Sequence, residues 1–158
     1  MSNEEWMQVA IDLAVAGVSS GEGGPFGAIV VRDGEIVGRG NNRVTTTNDP
    51  TAHAEVVAIR DACKNLGTFQ LTGCVVYTSC EPCPMCLGAI YWARPDRVYY
   101  ACTQADAAAS GFDDQFIYDE IGMPYAERKI PFLPLGREDG KRAFQVWDNK
   151  GDRVGHCE

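Results

Sequence analysis

The sequence predicts an α/β fold in which helices cover a mixed β-sheet. Between residues 35 and 102, apolar strand-like runs alternate with helical periodicity in the order strand, helix, strand, helix, strand. This order is typical of parallel strands joined by right-handed crossovers. Just before it, Asp33-Gly34 separates two strand-like runs and is a strong hairpin signal. The first two strands should therefore be antiparallel neighbours.

Length and composition indicate one globular domain. The chain has 158 residues, of which 45% are hydrophobic and 23% charged, a mixture that can bury a core. No apolar run approaches the ~20 residues that span a bilayer. The N-terminus is acidic and lacks the basic start and apolar core of a signal peptide. We therefore expect a single domain over residues 1–158, a cytoplasmic location and no membrane partner.

The charge balance bears on the class of substrate. The net charge is −8, and the lysines and arginines are scattered along the chain. Nucleic-acid binders need a basic footprint, because phosphate contacts supply most of their affinity. The composition counts against a tRNA or DNA substrate and favours a small molecule.

The first elements are a helix and a hairpin. Residues 3–20 have the three- and four-residue spacing of an amphipathic helix, and 26–32 and 35–43 are the two strands of the hairpin. Asn42 ends the second strand, where its amide could bind a ligand or close a turn, and composition favours the turn. The glycine-rich stretch at 23–27 is either a plain turn or a close backbone approach to a ligand.

Two helices flank the next strand. Residues 51–66 form a helix with His53 and Glu55 in its first turn, and 74–79 form a strand. A second helix should start near Pro84, because proline fits the first turn, and should end before Pro95. Ligands collect at the carboxyl ends of the strands in such sheets. His53 and the cysteines at the start of the second helix should therefore lie at one edge of the sheet.

The C-terminal third is less regular. Residues 97–102 form another strand, 103–114 a loop, and 123–135 one more short extended stretch. Asp114 is either an N-cap for a helix over 115–121 or an acceptor for the edge of a purine, and the pattern alone favours the cap. Residues 136–158 are polar with one aromatic cluster, which is typical of a tail that docks on another surface.

The cysteines and one histidine form a metal-binding pattern. The chain has seven cysteines and no signal peptide, which favours reduced thiols. Cys63, Cys74 and Cys102 lie in apolar stretches as core filler, and Cys80 is a buried neighbour of the pair Cys83 and Cys86. A Cys-x-x-Cys pair alone can be a redox pair, half of a structural zinc site, or two small core residues.

The upstream residues decide between these possibilities. His53-Ala54-Glu55 followed by Pro-Cys-x-x-Cys is the signature of zinc-dependent deaminases. Three protein ligands leave the fourth tetrahedral position of zinc for water, whose pKa falls from about 15.7 to roughly 7. Glu55 does not share the direction of His53 on a helix, so it can stand beside the metal and move protons.

The segments 48–55 and 78–86 resemble the cytidine deaminase superfamily, and within it the chain is most similar to the bacterial guanine deaminases. The stretches 23–27, 88–95 and 107–116, the last with Gly-Phe-Asp-Asp, support this resemblance. It runs from about residue 3 to residue 147. The zinc motif is specific for the superfamily, and the Gly-Phe-Asp-Asp motif points to guanine.

The resemblance implies a three-layer α/β/α sandwich around a five-stranded mixed sheet, with Zn2+ as cofactor. His53, Cys83 and Cys86 would hold the zinc and Glu55 would shuttle protons. The remaining roles concern the purine: Asn42 and the Ala54 backbone would fix it, Phe26 and Trp92 would line its pocket, and Asp114 would accept from its ring N–H side and assist proton transfer.

The resemblance also implies a homodimer in which the C-terminal segment, about 136–158, is swapped and covers the partner's site. The tail here ends Gly-His-Cys-Glu rather than in an aromatic residue. His156 and Cys157 as additional metal ligands are possible but less favoured.

Three functions remain to be compared. The first is hydrolytic deamination of guanine to xanthine and ammonia. The second is deamination of adenosine in tRNA, or of cytosine or a nucleoside, on the same fold. The third is a structural zinc module without activity, which would need Cys80 or Cys157 as a fourth ligand, since structural zinc sites are closed.

Overall fold

The computed structural model describes residues 1–155, which fall into two compact units divided between Asp114 and Gln115. His156 and Cys157, considered above as metal ligands, lie outside the described residues. Within residues 1–155, no helix combines the length and the apolar character that crossing a membrane requires.

The first unit contains a four-stranded sheet and the helices around it. The strands lie in the order β2-β1-β3-β4, with β1 antiparallel to both of its neighbours and β3 parallel to β4. In chain order the elements are α1 (Asn3–Ser19), β1 (Gly27–Arg32), β2 (Glu35–Asn41), α2 (Val44–Thr47), α3 (Ala54–Leu66), β3 (Cys74–Cys80), α4 (Pro84–Ala93), β4 (Arg97–Cys102) and α5 (Gln104–Ala109).

The predicted fold class is confirmed, because helices cover both faces of a mixed sheet. On one face, Trp6 and Ala10 of α1 pack with Ile29 and Tyr77 of the sheet. On the other face, three buried alanines of α3 pack with three residues of β1 and β3, namely Ala54, Ala58 and Ala62 with Ala28, Val30 and Val76. Because successive side chains of a strand point to opposite faces of the sheet, the buried strands contribute to two cores, one on each side.

The β1–β2 hairpin is also confirmed. Asp33 and Gly34 have φ values of 50° and 76°, as a type I′ turn requires at both central residues. The expected parallel pairing of the strands that the helices join is only partly right. β1 lies between β2 and β3, so β3 and β4 are the one directly paired parallel couple among the described residues.

The expected fifth strand is wrong for the described part of the chain, where four strands are found. The segment 123–135 holds three prolines, which cannot donate to a strand ladder. It folds back on itself instead: the N–H of Phe132 donates to the carbonyl of Tyr125 at 3.0 Å. The guanidinium of Arg128 lies 4.6 Å from the ring centre of Tyr125 and 5.2 Å from that of Phe132.

The segment 103–114 is not the simple loop that its composition predicts. It contains α5, which begins with a capping box between Thr103 and Asp106. In this arrangement each side chain accepts a hydrogen bond from the backbone N–H of the other residue, which satisfies two N–H groups of the first turn.

The second unit, from Gln115 onwards, contains α6 (Gln115–Ile121), a short 3₁₀ turn (Tyr125–Glu127) and α7 (Arg137–Asp148). The helix predicted over 115–121 is confirmed, whereas the polar sequence of α7 does not predict a helix. Neither α6 nor α7 has a buried residue. Leu135 is 98% exposed and Phe144 is 71% exposed. Over residues 115–155, this unit therefore has no buried core of its own in the single chain.

The close packing of α3 on β2 depends on a glycine. A Cβ atom on Gly40 would lie 2.3 Å from the carbonyl oxygen of Ala54 and 2.6 Å from the amide nitrogen of Ala58. Both contacts are to helix backbone, which cannot move aside as a flexible side chain would. The absence of a side chain at Gly40 thus fixes where the first turn of α3 lies.

We predict that Gly40→Ala lowers the free energy of unfolding by about 1–3 kcal/mol, the usual cost of overpacking. Gly122→Ala is the matched control, because a Cβ atom on Gly122 would meet no heavy atom within 4 Å and its φ is not left-handed. Urea denaturation of both variants measures the difference. Equal unfolding midpoints for the two variants would contradict the packing described here.

Candidate active site

Two helix N-termini meet at one end of the sheet. His53 is the N-cap of α3 and Cys83 is the N-cap of α4, both with extended backbone. Pro84 occupies the first turn of α4, and the backbone N–H of Cys86 donates to the sulfur of Cys83 at 3.5 Å. Helix N-termini carry partial positive charge, which favours thiolate over thiol.

The helix that carries His53 starts later than the sequence predicts. The pattern predicts a start at residue 51, with His53 in the first turn, but α3 begins at Ala54. The carboxylate of Asp49 accepts hydrogen bonds from both the backbone N–H (2.9 Å) and the hydroxyl (2.6 Å) of Thr51. This turn delays the helix, and His53 is left as an extended cap residue.

The three predicted metal ligands come together. The Nδ1 atom of His53 lies 3.5 Å from the sulfur of Cys83 and 3.4 Å from that of Cys86. All three donor atoms lie within 4.8 Å of one another. Zinc bonds of about 2.3 Å to sulfur and 2.0–2.1 Å to nitrogen at a tetrahedral angle place such atoms roughly 3.6 Å apart. The donor set therefore fits zinc by both chemistry and spacing.

The two thiols share a proton. A hydrogen bond from Cys86 is the main cause that lowers the pKa of Cys83, to about 4. The same bond, together with burial, raises the pKa of Cys86. The hydrogen bond to Cys83 also raises the pKa of His53. The site thus holds negative charge on sulfur, and a bound dication would take the place of the shared proton.

Within residues 1–155, the donor cluster has three members. Cys80 does not join it: burial raises the pKa of its thiol to about 11, and its S–H donates to the carbonyl of Thr103 at 3.7 Å. A closed, four-ligand site built with Cys80 is therefore not formed. Cys157, the other fourth ligand considered for a structural zinc module, is outside the described residues.

Glu55 stands beside the donors as the second residue of α3. Its side chain is buried, with 6% of the residue exposed. Burial is the main cause that raises the pKa of its carboxyl group, which also lies within hydrogen-bonding reach of Cys86. A buried carboxyl group with a raised pKa next to a metal site suits proton transfer near neutral pH.

The side chain of Asn42 is fixed by hydrogen bonds to its amide oxygen. Its side-chain carbonyl accepts hydrogen bonds from the backbone N–H groups of Gly24 (3.3 Å) and Val44 (3.2 Å), and the residue is 9% exposed. The turn-closing role is therefore real, and it leaves the amide NH2 group as the part that can donate to a ligand. A Cβ atom on Gly23 would lie 2.2 Å from the carbonyl oxygen of Asn42, so the glycine permits this contact.

An aromatic contact joins Phe26 to the segment that ends at Asp114. The rings of Phe26 and Phe112 meet edge to face, with centroids 5.0 Å apart. One carboxylate oxygen of Asp114, Oδ1, is buried and has no hydrogen-bond partner among the described residues. Burial raises the pKa of this carboxyl group, and the charge of Cys83 acts in the same direction. Asp114 therefore lies near enough to the metal ligands to feel their charge.

The remaining two predicted residues differ in burial. Ala54 is fully buried as the first residue of α3, where backbone N–H groups have no partner within the helix. Trp92 lies in the last turn of α4 and is 59% exposed in the single chain. Its role as a pocket wall stays a prediction. Two residues that link the metal-binding loop to Asp114 were given no role from the sequence, Glu81 and Gln104. Glu81 lies within the segment 78–86 that carries the resemblance, but the pattern indicates no function for it, and Gln104 belongs to no motif.

Comparisons with known proteins agree with this geometry. Residues 1–102 match the zinc-binding region of cytidine and deoxycytidylate deaminases. The chain is 58% identical to a guanine deaminase of Bacillus subtilis (strain 168) over 149 residues, 94% of this chain and 96% of the relative. The X-ray structure of guanine deaminase from Bacillus subtilis matches with a TM-score of 0.97 and 56% identity over 99% of each chain.

A second class of relatives is similar over a shorter stretch. The chain is 42% identical to a tRNA-specific adenosine deaminase of Aquifex aeolicus (strain VF5) over 101 residues, which is 64% of this chain and 66% of the relative.

We predict that the purified protein contains one zinc ion per chain and that His53→Ala, Cys83→Ser and Cys86→Ser each lose it. Removal of a ligand should cost more than the roughly 10–100-fold in affinity that loss of an outer-shell partner costs. Cys63→Ser is the control, because this half-buried thiol on α3 is not part of the donor cluster. Elemental analysis after dialysis measures the effect. Full zinc content in Cys86→Ser would refute the assignment.

Proposed function

This chain belongs to the cytidine and deoxycytidylate deaminase family, and we propose that it catalyses the zinc-dependent hydrolysis of guanine to xanthine and ammonia. The observation that carries the proposal is the similarity to a guanine deaminase. The aligned region covers all but nine of the 158 residues of this chain. It therefore extends past the metal motifs and through Gly111–Asp114. The substrate would be a small purine base bound next to Glu55.

The chemistry is the replacement of the exocyclic amino group by oxygen. Zinc, when bound by His53, Cys83 and Cys86, supplies Lewis-acid chemistry that lowers the pKa of water to roughly 7. The Glu55 carboxylate accepts a proton from the attacking water and delivers it to a ring nitrogen. Glu55 then passes the second proton of that water, now on the new oxygen of the ring carbon, to the amino group, so that the C–N bond breaks, the new oxygen becomes a carbonyl and ammonia departs. The raised pKa of Glu55 suits a group that must both take up and release a proton.

The purine would be held by groups on either side of the metal centre. The Asn42 amide can act towards a ligand only as a donor, because its oxygen is already bonded to Gly24 and Val44. An amide donor suits the ring nitrogen and carbonyl acceptors of guanine. The unpartnered Oδ1 of Asp114 is an acceptor that suits ring N–H and amino groups. Guanine presents both kinds of edge.

Deamination of tRNA is less well supported. The tRNA-specific relative matches 64% of this chain, against 94% for the guanine deaminase. The net charge of −8 also disfavours a polyanionic substrate. These two observations support a free base over a nucleic acid as the substrate.

We predict that the protein releases ammonia from guanine and forms xanthine, and that adenine, cytosine and guanosine are poor substrates under the same conditions. Glu55→Gln should lower kcat by roughly 10²–10⁴, the usual contribution of a general acid–base group, and keep its zinc. An ammonia assay with product chromatography measures the substrate range of the wild type and the loss of kcat in Glu55→Gln.

The control for Glu55→Gln is its zinc content and thermal unfolding, which separate lost proton transfer from a lost fold. Wild-type turnover by Glu55→Gln would refute the mechanism. Inosine formation in a tRNA anticodon without any action on guanine would refute the substrate.

We also propose a cytoplasmic homodimer in which the C-terminal segment, about 136–158, docks on the second copy. The support is that α7 exposes Phe144, Val146 and Trp147 and that neither α6 nor α7 has a buried residue. Exposed apolar groups of this number are typical of an interface. The proposed site also needs reduced thiols, as the cytoplasm provides.

We predict that light scattering gives twice the chain mass of 17.2 kDa for the wild type. Phe144→Asp should give monomers, because it places a charge in the interface, whereas Gln145→Asp, on the neighbouring exposed position, should remain dimeric. A wild-type protein that stays monomeric at tens of micromolar would end this proposal.

A further inference from the structure

Glu81 joins the metal-binding loop to the start of α5. It lies between the end of β3 and Cys83, and its carboxylate Oε2 accepts a hydrogen bond from the backbone N–H of Gln104 at 2.8 Å. Its own backbone N–H donates to the carbonyl of Cys102 at 2.8 Å. The residue is thus bound twice to the junction between β4 and α5.

The side chain of Gln104 continues this connection. It hydrogen-bonds the carboxylate of Asp114, on the segment that follows α5. The backbone N–H of Phe112 donates to the carbonyl of Ala107 at 3.0 Å, which ties the same segment to the last turn of α5. Gln104, the first residue of this six-residue helix, therefore binds Glu81 through its backbone and Asp114 through its side chain.

Helix capping alone does not account for Glu81. α5 already has a complete capping box from Thr103 and Asp106, with the Asp106 carboxylate accepting from the Thr103 N–H at 2.9 Å. The N–H of Gln104 is a different first-turn donor, and Glu81 reaches it from another element. Its bond fixes the position of α5 relative to the metal-binding loop, which the capping box cannot do.

We infer that Glu81 is a positioning residue, which acts through Gln104 to hold Asp114 at a fixed distance from the metal centre. The inference rests on the proposed function, because it takes Asp114 as the acceptor for the guanine ring. In this arrangement the loop that binds the metal also sets the far wall of the base-binding site. Loss of the bond would let α5 and Asp114 move away from the base while the metal ligands stay in place.

The test compares Glu81→Ala, Glu81→Gln and Thr103→Ala in the full-length, zinc-loaded protein. Glu81→Ala should raise the KM for guanine by about tenfold, because a hydrogen bond to a charged acceptor is lost. Its kcat should fall less, and its zinc content should equal that of the wild type. Glu81→Gln keeps a carbonyl acceptor, so its KM for guanine should be close to that of the wild type.

Thr103→Ala is the matched control, because it removes the cap of α5 and leaves the Glu81 bond. We expect it to lower the thermal unfolding temperature without raising the KM. If Thr103→Ala raises the KM as much as Glu81→Ala does, helix stability is the cause and the inference fails. It also fails if Glu81→Ala leaves the KM unchanged or if Glu81→Gln is as impaired as Glu81→Ala.

A double-mutant cycle with Asp114→Ala locates the effect. If Glu81 acts through Asp114, adding Glu81→Ala to Asp114→Ala should raise the KM little further, whereas multiplicative effects would overturn the inference. The wild-type rate on guanine separates the proposed function from the role of Glu81. A wild type that does not release ammonia from guanine refutes the proposed function, while an active wild type with an unaffected Glu81→Ala refutes only the role of Glu81.

Discussion

The meeting of two helix N-termini at one end of the sheet is the constraint on which the rest of the site depends. It brings one imidazole nitrogen and two thiol sulfurs within 4.8 Å of one another. The two cysteine sulfurs would repel each other once both are ionised. The partial positive charge of the helix ends, together with a bound metal ion, would offset that repulsion. The precision comes from packing, since β2 approaches the backbone of α3 at Gly40 with no side chain between them.

Around this centre the molecule separates reaction from recognition. The start of α3 supplies both His53 and Glu55, so that one rigid turn would set the distance between a bound metal and the proposed proton carrier. In the proposed function, recognition of the base would fall to two less regular segments, the turn around Asn42 and the segment from Phe112 to Asp114. Phe26 joins them through its contact with Phe112. Glu81, in the loop before Cys83, accepts a hydrogen bond from the backbone N–H of Gln104 at the start of α5, the helix that precedes the second of these segments.

Much of this arrangement was predictable because local signals were strong. The type I′ residues at 33–34 and the proline that opens α4 each dictate a backbone geometry almost by themselves. The start of α3 was not predictable at residue level, because a side chain–backbone turn at Asp49 competes with the helix. The insertion of β1 between β2 and β3 depends on which surfaces pair, and no local pattern encodes that choice.

The C-terminal region was the hardest part to predict for a related reason. Pro-rich residues 123–135 fit an extended stretch on composition, but the stacking of Arg128 on two aromatic rings folds them back. The helix α7 was missed because its sequence is polar, and its apolar side chains are exposed in the single chain.

The central claim is that three side chains hold the metal and that the fourth position stays open beside Glu55. X-ray absorption at the zinc edge of the substrate-free protein tests it most directly. The account predicts two sulfur scatterers at about 2.3 Å and two lighter atoms at about 2.0–2.1 Å, only one of them an imidazole nitrogen. A third sulfur in the first coordination shell, or a second imidazole, would contradict it.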